Sequence, residues 1–143
     1  MLEKVFFYQT TILEHHLDAF CHVNNASYLQ LFEEARWDFS EKIGYGLEWV
    51  LAQKKGPIVL NVEISFRKEL VNREKISIES RSLGMKNRLV LGFEQKMRKE
   101  NGQLASAIKL DLGFMDLRLR KLSPFPQKWM ESFGIQSLET SSL

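Results

Sequence analysis

Large apolar side chains recur at Tyr28, Phe32, Ala35, Phe39 and Ile43, with Leu31 filling the stripe. Steps of three and four predict one long amphipathic helix. Asn24 or Asn25 supplies an N-cap oxygen, Lys42 stands in the last turn, and Gly44 suits the left-handed position beyond it. Apolar groups cover much of this helix's girth, so it needs a sheet laid against it. The rest of the chain has to supply that sheet.

It does so with a change of period. Residues 4–13, rich in aromatic and β-branched side chains, read as a strand. After Gly44 and Gly46, residues 47–51 suggest one or two helical turns, ended by residues 54–57. Ile58, Leu60, Val62, Ile64 and Phe66 then alternate with Val59, Asn61, Glu63 and Ser65, the pattern of a half-buried strand. Residues 75–81 repeat the pattern, and Leu89, Leu91, Phe93 and Met97 mark another strand, with Gly92 at a bulge or close contact. Asn101-Gly102 predicts a type I′ hairpin turn into a long last strand over 104–114. Residues 123–126 stop it, 127–133 suggest a short helix, and 136–143 are expected to fray. One strand, a long helix and four strands joined by short loops predict an α+β layer with an antiparallel five-stranded sheet. Its open edges favour association with further copies.

The 143 residues suit a single domain, 1–143, with a real core. A net charge of +2 argues against a general nucleic-acid binder, and no clear stripe of Lys/Arg interleaved with aromatics supports one. One cysteine excludes an internal disulfide framework and suits a reducing compartment. The first residues carry Glu3 and Lys4 before a very short apolar run, unlike a signal peptide, and no stretch reaches membrane-spanning length. A cytoplasmic protein with neither a membrane nor a nucleic-acid partner is expected.

The chemistry concentrates ahead of the helix. Asp18, Cys21 and all three histidines lie in or beside one polar loop. A carboxylate just before exposed helix N–H groups suits chemistry at a polarised carbonyl. The run Asp18-Ala19-Phe20-Cys21-His22-Val23-Asn24-Asn25, then Tyr28 and Phe32-Glu33-Glu34-Ala35-Arg36, resembles the D-x-x-G-H-V-N-N-x-x-Y…F-E-E-A-R segment of hotdog-fold thioesterases. It is similar, more narrowly, to their 4-hydroxybenzoyl-CoA thioesterase-like and acyl-carrier-protein thioesterase group. Cys21 stands where that group usually has Gly, and His16-Leu17 where an Asp-Thr pair is common.

The resemblance implies a hotdog fold, with the sheet wrapped around one central helix. It also implies hydrolysis of an acyl thioester to a free acid and a thiol. Asp18 would then be a general base toward water or a nucleophile forming a mixed anhydride. Backbone N–H groups within 24–27 would polarise the carbonyl. His22 either orients acyl group and water or holds the loop, and Asn25 either caps the helix or orients substrate. Tyr28 is a candidate pocket wall, although core packing explains it equally well. Lys86 and Arg88 are candidates for the nucleotide phosphates of coenzyme A, the substrate being an acyl-CoA or an acyl carrier protein. Family members form dimers, often tetramers, with sites at the dimer interface. The other class of function open to such a chain is a non-catalytic hotdog that binds acyl-CoA or carrier protein.

Rival chemistries find less support. A Cys21 thiolate beside His22 would be a nucleophile, but neighbouring side chains usually point apart. His15, His16, Asp18, Cys21 and His22 lack the second Cys/His cluster usual for zinc, so neither a metal nor a cofactor is expected. Glu33 and Glu34 fit a solvated helix face.

Overall fold

The computed structural model describes residues 4–135; the tail expected to fray, 136–143, lies outside them. Strand β1 (Val5–Thr11) leads through a short 3-10 turn (Glu14–His16) into α1 (Asn25–Lys42). The following α2 (Leu47–Gln53) occupies the place of the predicted helical turns. Strands β2 (Lys55–Phe66), β3 (Lys75–Met85), β4 (Val90–Lys99) and β5 (Leu104–Asp116) follow, then β6 (Lys121–Ser123) and α3 (Gln127–Ser132).

The five long strands form one antiparallel sheet in the order β1-β3-β4-β5-β2. A sixth, unpredicted strand joins them: β6 pairs with the end of β5, Phe114 opposite Ser123. Three residues are too few for a period-2 signal to register. The Asn101-Gly102 turn also differs from expectation. Only Gly102 has a positive φ, +89°, and its N–H donates to the Lys99 carbonyl oxygen at 2.9 Å. That is a type I turn closed by a left-handed glycine, whereas a type I′ turn would require Asn101 at positive φ as well. The expectation for Gly92 holds in both forms. The β3–β4 register skips Leu83 opposite it, and a Cβ on Gly92 would meet the Leu83 Cβ at 3.4 Å.

α1 lies against this sheet and buries Tyr28, Leu31, Phe32, Ala35 and Phe39. Phe39 meets Phe93 of β4 with ring centroids 5.5 Å apart. Phe133, just past α3, closes the cluster by packing against Phe6, Phe39 and Phe93 at 4.9 to 5.4 Å. The interior also holds polar side chains, and Gln95 is the largest of those fully buried. It donates to the Phe32 carbonyl oxygen at 3.1 Å and Ser80 Oγ at 2.9 Å. Its Oε1 accepts from Arg36 Nη1 at 2.9 Å. A satisfied buried amide fixes the rotation of α1 over the sheet, because any other rotation strands it. Among the described residues no helix is long and apolar enough to cross a membrane.

Tyr28 stacks edge-on against Phe66 at 5.0 Å, so α1 begins where β2 ends. Its last turn is closed by Gly44 at φ +87°. Between the two candidate caps the structure chooses Asn24, whose side-chain oxygen accepts from the Ala26 N–H at 2.8 Å. Asn24→Ala should therefore cost about 1 kcal/mol, and Asn25→Ala under ~0.5 kcal/mol, read from urea midpoints with unchanged slopes.

Candidate active site

Residues 13–24 fold back on themselves. The His16 N–H donates to the Leu13 carbonyl oxygen at 3.0 Å, while the Leu13 N–H donates to His16 Nδ1 at 2.9 Å. Leu17 and Val23 form an isolated antiparallel bridge, flanked by Asp18 N–H to His22 O at 2.9 Å and Asn24 N–H to His16 O at 2.8 Å. Between them the chain reverses in a tight turn, with Cys21 in the left-handed region at φ +61°. A residue with a Cβ is strained there by roughly 1–2 kcal/mol, and glycine is not, which accounts physically for glycine in the motif that this loop resembles.

The turn holds Asp18 by one oxygen. Oδ1 accepts from the Phe20 N–H at 2.9 Å and from the His22 N–H at 3.4 Å. Oδ2 makes no hydrogen bond among the described residues, and the side chain is half-buried. One oxygen is thus anchored and its neighbour is left available.

A similar division holds at the helix start. The Ala26 N–H is taken by the Asn24 side chain, and the Ser27 and Tyr28 N–H groups donate to the Asn24 carbonyl oxygen at 2.9 and 3.2 Å. Asn24's own N–H goes to His16. Within 24–27 the Asn25 N–H alone lacks an acceptor among the described residues. It is an exposed first-turn donor at the positive end of an eighteen-residue helix. Because Asn24 does the capping, the Asn25 side chain is free of that role.

Of the remaining candidates, Tyr28 is buried, and burial, with Glu69 and Glu74 adding, pushes its phenol above the usual range. His22 places its Nε2 at 3.2 Å from Glu69 Oε2, while its backbone N–H donates to the Asp18 carboxylate. Cys21 is exposed. Among the described residues no group of three or more His, Cys, Asp or Glu is placed to hold a metal ion. Lys86 and Arg88 lie apart from the other four. They sit in the β3–β4 hairpin, at the end of the sheet opposite Tyr28 and Phe66, with Lys86 Nζ on Asp111 Oδ1 at 2.5 Å. The length of β4 separates them from the Asp18 loop within one chain, roughly 30 Å.

Two residues that sequence left without a role, His16 and Glu69, take part in this arrangement. Glu69 comes from the β2–β3 loop, far from His22 in the chain, and no local signal joins them. His16 is 5% exposed, and its Nδ1 serves as an acceptor, so the ring is neutral with its proton on Nε2. Burial first, then the neighbouring His15, pushes its pKa below the ordinary value, with Glu34 opposing.

A sequence model of the thioesterase-like superfamily matches residues 13–133. The long-chain acyl-CoA thioesterase FadM of Escherichia coli is 28% identical over 113 residues, spanning 79% of this chain and 85% of that protein. Among solved structures, SAV2348 from Staphylococcus aureus, determined in complex with CoA, superimposes with a TM-score of 0.83 at 18% identity, covering 92% of this chain and 83% of that one. Slr0204, a 1,4-dihydroxy-2-naphthoyl-CoA thioesterase from Synechocystis, gives 0.81 at 16% identity, covering 91% and 96%. At those identities the structures speak for a shared hotdog fold.

The neutral His16 makes stability pH-dependent. With the folded pKa below the unfolded value of 6.5, its contribution is complete above that value and declines as pH falls toward the folded pKa. His16→Asn, whose Oδ1 can take the place of Nδ1, should flatten the decline as pH falls below 6.5, as read from urea midpoints. His16→Ala should lose about 1–3 kcal/mol already at neutral pH, because the Leu13 N–H is left without its acceptor.

Proposed function

The chain belongs to the thioesterase-like superfamily, and from that premise we propose that it hydrolyses acyl-CoA thioesters at the Asp18 loop. The observation that carries this reading is the pairing of an unengaged carboxylate oxygen, Asp18 Oδ2, with an unengaged helix-start donor, the Asn25 N–H, across one short loop. The thioester carbonyl oxygen is taken by the Asn25 N–H, which gains strength as that oxygen becomes negative. Asp18 Oδ2 removes a proton from water, and the hydroxide adds to the carbonyl carbon. The carbon–sulfur bond then breaks, and the departing thiolate recovers the proton. If Asp18 instead attacks directly, the same oxygen forms an anhydride as the carbon–sulfur bond breaks and the thiolate departs. Water then adds its hydroxide to the acyl carbon, regenerating the carboxylate, while its proton goes to the thiolate. His22 and Glu69 hold the rear of the loop, and Tyr28, its phenol pushed above the usual range by burial, forms the wall toward Phe66.

Coenzyme A is the proposed carrier and a long aliphatic chain the proposed acyl group. The support is the relationship to FadM, a long-chain acyl-CoA thioesterase, and the CoA bound to the related fold of SAV2348. The working form is proposed to be a homodimer of single-domain chains in the cytoplasm, where a lone thiol stays reduced. Its interface is the outer edge of β2, which exposes Val59, Leu60, Val62 and Phe66 by 41 to 48% and so presents apolar groups on both faces of an unpaired edge. Antiparallel pairing of two such edges sets the Asp18 end of one chain beside the Lys86 and Arg88 end of the other. That brings those cations toward the CoA phosphates despite their distance within one chain.

Thiol release across a panel of acyl-CoAs and acyl carrier proteins tests the reading. Long-chain acyl-CoA should turn over, and Asp18→Asn should lower kcat/KM by at least ~10²-fold with the melting temperature retained. Tight binding of acyl-CoA by the wild type without turnover would instead identify a non-catalytic acyl-CoA-binding hotdog.

A further inference from the structure

The turn that joins β5 to β6 carries Leu117, Arg118, Leu119 and Arg120, all exposed, with Arg120 in the left-handed region at φ +56°. Asp116 Oδ1 fixes its shape by accepting from the Arg118 N–H at 2.9 Å and the Leu119 N–H at 3.0 Å. The backbone is tied inward and the side chains are left to the surface, Leu119 with 65% of its area in water. The Leu117 N–H donates to the Lys54 carbonyl oxygen at 2.8 Å, which seats the turn against the C-terminal end of α2. On α2, Leu47 and Leu51 stand one turn apart on the same face, 52% and 59% exposed. Both halves of this surface therefore present leucine to solvent.

The same surface gathers positive charge. Lys55 of β2 and Lys121 of β6 stand opposite Asp116 on either side of β5, and Lys54 and the two arginines of the turn adjoin them. Among the described residues, none of these five side chains forms an ion pair or a hydrogen bond, whereas Arg73, Lys86 and Arg98 each meet a carboxylate. Asp116 is itself buried, with Oδ1 taken by the turn. The Leu119 N–H first, with the Arg118 N–H and the Lys55 and Arg118 cations adding, holds its carboxyl below the usual carboxylate range against the opposing effect of burial. One carboxylate faces five cations, and the whole chain carries only +2, so the excess is local to this end of the molecule.

Unpaired cations interleaved with protruding leucines fit a partner that offers anionic groups with hydrocarbon directly behind them. Nucleic acid supplies the anions without the hydrocarbon, and free phosphate leaves the leucines in water. The headgroup layer of an anionic bilayer supplies both.

We propose that the β5–β6 turn and the end of α2 dock this chain on an anionic phospholipid surface, Leu117 and Leu119 entering the headgroup layer while Arg118, Arg120 and Lys121 meet lipid phosphates. No spanning helix is needed for such a contact. It replaces the expectation of a chain without a membrane partner, which rested on spanning length alone. None of these residues belongs to the part of β2, Val59 to Phe66, assigned above to a second copy. The contact goes beyond the hydrolysis proposed above and is measured without turnover.

The test is co-sedimentation of the full chain with vesicles of phosphatidylcholine alone and of phosphatidylcholine mixed with phosphatidylserine. Binding should be at least about tenfold stronger to the mixed vesicles and should weaken as salt is raised. Arg118→Gln should lose roughly fivefold on the mixed vesicles. Lys75→Gln, which removes an exposed cation at the opposite end of the sheet, should lose little. Leu119→Ser keeps every charge and should still lose at least about fivefold. All three side chains are exposed, and melting curves check that the variants remain folded. Equal binding to the two kinds of vesicle overturns the proposal, as does a loss in Lys75→Gln equal to that in Arg118→Gln. Undiminished binding by Leu119→Ser overturns it too, reducing the contact to diffuse charge. So does an Arg118→Gln protein that binds vesicles normally but has a raised KM for acyl-CoA in vesicle-free solution, because the cation would then serve the CoA phosphates. A wild type that ignores vesicles and retains an acidic carrier protein would place a protein there instead. The activity of Asp18→Asn bears on hydrolysis alone, and its vesicle binding should match the wild type.

Discussion

A hydrogen bond of 2.8 Å, from the Asn24 N–H to the His16 carbonyl oxygen, ties the Asp18 loop to the first turn of α1. Around it the carbonyl and side-chain oxygens of Asn24 are engaged as well. Its carbonyl oxygen receives the Ser27 and Tyr28 N–H groups, and its side chain receives that of Ala26. The accounting leaves the neighbouring Asn25 N–H unmatched. The turn that follows Asp18 makes an equivalent choice, engaging one carboxylate oxygen with backbone donors and leaving the other unengaged. Neither free group exists without the fixed one beside it. The position of both depends on α1 being held against the sheet, which the aromatic cluster around Phe39, Phe93 and Phe133 and the buried Gln95 amide accomplish.

Much of this was legible in the chain because the periodic signals are strong. α1 repeats apolar groups over four turns, and β2 and β5 alternate over a dozen residues each, so their existence and order could be read directly. What escaped was short or shared between alternatives. β6 has three residues and is recognised only by its partner strand. Asn-Gly serves both a type I′ turn and a type I turn ended by glycine, and only the φ of Asn101 distinguishes them. Asn24 and Asn25 are chemically identical, so composition could not decide which caps.

The candidate site divides in the same way. Asp18 stands out through the spacing of its motif. His16 could not be assigned, since its role depends on a backbone N–H three residues back approaching one particular ring nitrogen. His22–Glu69 and Arg36–Gln95 join residues far apart in sequence, and no local pattern encodes such contacts. Cys21 carries no sign in its side chain of the left-handed backbone that it adopts. Among the described residues, the Asp18 loop and the exposed apolar edge of β2 both lie on or beside the surface that α1 and β2 share, and the inner strands β3, β4 and β5 hold it in place.

The most direct test of the account is a backbone amide NMR titration with a thioether analogue of a long-chain acyl-CoA, which binds without being cleaved. If the thioester carbonyl is received at the start of α1, the shifts concentrate in residues 18–27, with the Asn25 amide among the most displaced. Unmoved amides across 18–27, together with saturable shifts elsewhere on the chain, would contradict it.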